Sequence, residues 1–82
     1  MGLRADKVIG DQLRTLRSER GLTQLQVAQM LDVPQSHISK LESGARSLYF
    51  SELFSYAQAL DSTPDELFNH MTQAMIDRSK NA

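Results

Sequence analysis

The sequence predicts an all-α fold of five short helices, and three observations predict it. Apolar residues recur at three- and four-residue spacing. Helix start and stop signals punctuate the chain at short intervals. No β-branched alternating run competes.

The first helix is expected over residues 7 to about 20, where Ile9, Leu13, Leu16 and Arg20 follow helical spacing, with Asp6 as N-cap and Gly21 as stop. "TQLQ" at Thr23 to Gln26 has the capping-box pattern, so a second helix runs to about Leu31, burying Leu25, Val27, Ala28 and Leu31 in part. "DVP" is long enough only for a tight turn. Pro34 then belongs at the first position of a third helix, which starts near Gln35 and ends before Gly44, a left-handed cap. After the polar "GARS" connection, Leu53, Phe54, Ala57 and Leu60 mark a fourth helix. "TPDE" at Thr63 to Glu66 combines an N-cap, a proline at N1 and a capping-box glutamate, which starts the fifth. Its apolar face includes Leu67, Phe68, Met71, Ala74 and Met75.

At 82 residues there is room for one domain and one core, and none for a deep catalytic cavity. We expect a single domain over residues 1–82, with a core at 7–68 and a helical extension at 69–78. No apolar run reaches membrane-span length and the amino terminus lacks that of a signal peptide; Met1-Gly2 alone is a weak myristoylation hint. With no cysteine there is no disulfide framework and no thiolate metal site, so a cytoplasmic location is expected, without cofactor or metal. The net charge of −1 is unevenly spread. Residues 1–46 hold seven Lys and Arg against five acids (+2), and residues 47–82 hold two against five (−3).

An enzyme is not expected. His37 and His70 lie far apart in sequence, there is no cysteine nucleophile, and no paired carboxylates or Gly-rich phosphate loop stand at useful spacing. No small-molecule ligand is evident.

Helices two and three, joined by about three residues, form the helix-turn-helix arrangement, whose second helix can enter a DNA major groove. From Ile9 to Phe68 the chain resembles the Xre/Cro family of bacterial and phage regulators. The blocks "IGDQLRTLRSERGLTQ", "VAQML", "VPQSHISKLESGAR" and "YAQALDSTPDELF" carry the resemblance without a gap. It implies a phage-repressor-like fold and sequence-specific binding of double-stranded DNA by a transcriptional regulator. The short chain with its carboxy-terminal helix also resembles the controller proteins of restriction-modification systems.

Within "QSHISK" the resemblance makes Gln35, Ser36 and Lys40 the base readers. Their chemistry agrees: a Gln amide can bridge adenine N6 and N7, Lys can donate to guanine O6 and N7, and Ser can serve either base. An ordinary solvated helix face is the alternative. Gln24, His37, Ser39 and Arg46 are the candidate phosphate contacts. Gln24 can serve the helix cap as well, His37 is open between phosphate contact and partial burial, and Arg46 between phosphate contact and plain solvation. Arg17 and Glu42 are expected to form a structural ion pair, with Ile38 and Leu41 in the core. Three positions depart from the family pattern: Asp32 stands where Gly is usual, which implies positive φ; Pro34 replaces the Ser or Thr cap; and Tyr49 replaces a small polar cap, leaving Ser47 or Ser51 to cap helix four.

One helix in a groove reads few base pairs. Specific binding needs roughly 4 to 10 kcal/mol beyond non-specific affinity, and each bidentate pair supplies about 1 to 3. A homodimer on a palindromic operator is therefore expected. Phe68, Met71, Met75 and Ile76 are the candidate interface, with Tyr49 and Phe50 beside them. The alternative is that the extension folds back onto helix one. The rival function is a protein-interaction or antitoxin-type module on the same fold.

Overall fold

The computed structural model describes residues 4–80, so Met1-Gly2 and its myristoylation hint lie outside the described residues. Five helices follow in order: α1 (Ala5–Glu19), α2 (Gln24–Leu31), α3 (Gln35–Ser43), α4 (Phe50–Ala59) and α5 (Pro64–Lys80). They enclose one core, centred on Leu13, Leu16, Val27, Ile38, Leu41, Tyr56, Leu60 and Leu67.

The helix starts follow side-chain chemistry, with two corrections. Thr23 caps α2 as expected: its Oγ1 accepts from the Gln26 amide at 3.1 Å while Gln26 Oε1 accepts from the Thr23 amide at 2.8 Å. Thr63 accepts from the Glu66 amide at 3.2 Å. Asp6, by contrast, is not the cap of α1. The helix begins two residues earlier because the Lys7 and Val8 amides both donate to the Arg4 carbonyl, and the Asp6 carboxylate instead accepts from Ser47 Oγ at 2.7 Å. Ser47 is thereby committed to α1, and neither it nor Ser51 caps α4. There the Tyr49 amide donates to Glu52 Oε1 at 2.9 Å, so a glutamate one turn inside the helix does the work.

The two turn departures resolve cleanly. Asp32 takes the left-handed conformation at φ 57° and ψ 49°, ending α2. Pro34 sits one residue earlier than expected, at the N-cap of α3 with ψ 151°, where its missing amide costs nothing.

Leu25, expected to be buried in part, faces outward, as does Phe54 on α4. Tyr56 faces inward on α4, and its hydroxyl has no hydrogen-bond partner among the described residues; burial pushes its ionisation upward. α5 is one continuous helix through residues 69–80 and lies along α1, where Arg78 reaches Asp11 at 2.9 Å. Of the two readings of the extension, it folds back.

α1 crosses the end of α3 at close range, and glycine permits it. A Cβ at Gly10 would collide with the Leu41 carbonyl oxygen and lie 2.6 Å from that of Glu42. At the other side Gly44, at φ 81°, passes the Lys7 backbone.

Candidate nucleic-acid interface

The outer face of α3 carries Gln35, Ser36, Ser39 and Lys40, all exposed. Their side chains make no hydrogen bond or ion pair to other described residues. Ile38 and Leu41, on the opposite face, are fully buried and fix the rotation of the helix about its axis. Four polar groups with nothing to bond among the described residues thus face solvent together.

The end of α3 is held by Glu42, which is 4% exposed. Arg17 Nε donates to its Oε2 at 2.6 Å and Arg17 Nη2 to its Oε1 at 3.0 Å, a forked pair. Arg17 Nη1 continues to the Leu22 carbonyl at 2.8 Å, so one guanidinium ties together α1, the α1–α2 turn and α3. The hydrogen bonds that Arg17 donates to Glu42 raise its pKa. Gln24 Nε2 donates to the same Glu42 Oε1 at 3.0 Å, which brings the start of α2 into the network. Gln24 retains a second amide hydrogen beside the first turn of α2.

The start of α3 is held by Glu52, from α4. His37 Nε2 lies 2.7 Å from its Oε2, and Arg46 Nη2 lies 3.4 Å from its Oε1. Burial pushes the Glu52 carboxyl up, but the Tyr49 amide, His37 and Arg46 outweigh it and hold it below the ordinary glutamate range. His37 is half-buried with its Nε2 engaged by Glu52, the partial burial that was one of its two readings, and it braces the helix. Arg46 is neither free nor plainly solvated. Its guanidinium carbon lies 4.7 Å from the centroid of the Tyr49 ring, while Nη2 faces Glu52.

Glu52 was missed in the sequence, although the signal was present. Tyr49-x-x-Glu52 carries a glutamate at N3, and the unusual residue at the cap position hid the half of the capping box that does form.

The candidate dimer residues divide. Met71 is buried in the chain's own core, which corrects its assignment to an interface: the fold-back of α5 turns it inward. Met75 is partly covered, whereas Phe68 and Ile76 remain exposed. Phe68 joins Phe50 and Phe54 around a groove between α4 and α5, also lined by Leu53 and Pro64. Phe50 is 71% exposed and meets Phe54 edge to face at 6.0 Å.

No helix among the described residues is long and apolar enough to cross a membrane. No group of three or more potential metal-ligating side chains comes together among them.

The profile of the helix-turn-helix family matches residues 13–67. An uncharacterized HTH-type transcriptional regulator of Rickettsia prowazekii is 30% identical over 69 residues, which cover 84% of this chain and 53% of that protein. A second, from Rickettsia conorii, is also 30% identical, with 84% and 55% covered. The chain spans about half the length of these curated relatives. Among solved structures, the restriction-modification controller protein C.AhdI from Aeromonas hydrophila is 33% identical with a TM-score of 0.69, covering 74% of this chain and 92% of that one. The clp gene regulator ClgR from Corynebacterium glutamicum shares the fold at a TM-score of 0.84 and 22% identity, with 98% and 84% covered. On the family match, with the helix-turn-helix geometry in place, the chain belongs to the Xre/Cro-like helix-turn-helix family of transcriptional regulators.

Proposed function

We propose that this chain is a cytoplasmic, sequence-specific regulator that binds double-stranded DNA as a homodimer on a palindromic operator. The observation that carries the reading is the outer face of α3, where Gln35, Ser36 and Lys40 are exposed and unpaired among the described residues while both ends of the helix are anchored. Polar side chains with no internal partner on an anchored helix are poised to bond base edges. Gln24, Ser39 and Arg46 flank them as phosphate contacts, Gln24 through its remaining amide hydrogen and the free amides of the first turn of α2.

The second copy is placed on the aromatic groove rather than on Met71. Phe50, Phe54 and Phe68, all from the acidic second half of the sequence, form an apolar patch. Ile76 continues the exposed apolar surface of α5, with Met75 partly covered.

Selection of bound sites from random duplexes tests the reading, with a palindrome of half-sites roughly 34 Å apart as the expected outcome. Gln35→Ala should then cost about 1 to 3 kcal/mol and relax preference at a single operator position. Equal weakening on every sequence would show Gln35 touching phosphate only. Phe68→Glu should yield monomers by sedimentation, and an unchanged mass would remove the groove from the interface. Absence of salt-sensitive duplex binding by the wild-type chain would leave the protein-interaction reading.

A further inference from the structure

The first turn of α3 has no side-chain cap. Pro34 stands at the N-cap position and offers no acceptor to the amides that follow, whereas Thr23 closes the start of α2 with a full capping box. What holds the first turn of α3 by a polar side chain comes from a distance. His37, the third residue of the helix, puts its Nε2 2.7 Å from Glu52 Oε2, 15 residues on in α4.

Glu52 is itself built in. Its Oε1 accepts from the Tyr49 amide at 2.9 Å, and Arg46 Nη2 lies 3.4 Å from the same oxygen. Its neighbour Leu53 is buried in the core, so the carboxylate stands on an anchored turn. Oε2 is left for His37. Since Gln35 and Ser36 bond to no other described residue, this contact is the one polar side-chain tether of the first turn among the described residues.

Ile38 and Leu41 fix the rotation of α3, and Arg17 with Glu42 fixes its far end. The freedom that remains is the tilt of the first turn. Such a tilt moves Gln35 and Ser36 and leaves Lys40, close to the fixed end, nearly in place.

We infer that Glu52, whose two carboxylate oxygens are both engaged inside the chain, is a specificity-determining positioning residue: through His37 it sets the aim of Gln35 and Ser36 at the operator. A bidentate contact to a base edge needs two hydrogen bonds in line at once, and both weaken steeply when the side chain is turned away. The inference rests on the DNA-binding reading above and adds Glu52 to it. Its expected sign opposes plain electrostatics. Deleting an acid near phosphates favours binding to any duplex, whereas losing the aim weakens binding to the operator alone.

The test compares the affinity of the full chain for its selected operator with that for an unrelated duplex. His37→Ala, which leaves the Tyr49 amide on Glu52, and Glu52→Ala should each lower the operator-to-unrelated ratio by about tenfold, within the worth of one bidentate contact. Binding to the unrelated duplex should stay level for His37→Ala and stay level or tighten for Glu52→Ala. The ratio does not depend on the fraction of chain that is folded, so lost stability cannot imitate the effect. The double variant should lose no more than either single one, because both remove the same contact. Site selection with His37→Ala should relax the operator positions that Gln35→Ala and Ser36→Ala relax, and keep the one that Lys40→Ala relaxes. An unchanged ratio in both variants, equal weakening of both duplexes, or relaxation at the Lys40 position overturns the inference and leaves the operator and its readers standing. A wild-type chain with no preference among duplexes removes the DNA-reading function itself, and the inference with it.

Discussion

The two ends of α3 are each held by a carboxylate, and the two carboxylates live in different surroundings. Glu42, at the carboxy-terminal end, is buried and accepts three hydrogen bonds from Arg17 and Gln24. Glu52, which reaches the first turn from α4, is only half-buried, and one of its partners is a histidine. A buried carboxylate that loses its partner has no water to turn to, whereas a half-buried one does. The carboxy-terminal end is therefore the fixed point of α3, and the end that begins at Pro34 is the adjustable one. That adjustable end carries Gln35 and Ser36.

The sharpest way to break this contrast is Arg17→Met, which leaves Glu42 buried without its guanidinium. It should cost about 3 to 5 kcal/mol in urea unfolding. Glu52→Gln should cost less, about 1 kcal/mol, because water can replace what its partners supplied. Equal losses for the two variants would show that the ends are held alike.

The smallest effect is the pH dependence. The Glu52 carboxyl is held lower in the folded chain than in the unfolded one. Its contribution is therefore complete above the ordinary glutamate range, about 4.3, and is lost as pH falls through the folded-state value. The stability difference between wild type and Glu52→Gln should be constant near neutrality and shrink in acid. A difference that grows on acidification would reverse the assignment.

Much of this was legible in the sequence because local chemistry sets it. The capping box at Thr23, the left-handed Asp32, the stop at Gly44 and the start at Thr63 depend on residues within one turn of each other, and each stands where the sequence places it. The misses arise where distant parts of the chain compete for one group. Asp6 could cap α1 until Ser47, 41 residues on, takes its carboxylate. Met71 reads as surplus apolar surface until α5 lies on α1 and turns it inward. Phe54 marks α4 as a helix without saying which face turns inward, and only the packing of α4 against α2 and α5 leaves Phe54 outside and Tyr56 buried. A cleft beside α3 was equally hidden, since Arg14, Gln24 and Ser39 lie far apart in sequence until the fold lines one cleft with them.

The side chains of Gln35, Ser36, Ser39 and Lys40 bond to no other described residue, so the fold has almost no stake in their identity. Exchanging such surface residues typically changes stability by less than about 0.5 kcal/mol. On the DNA-binding function proposed above, target preference is thereby uncoupled from foldability, and a lineage carrying this scaffold can drift from one operator to another through folded intermediates. The same separation makes those four positions a natural place to randomise when seeking new specificities.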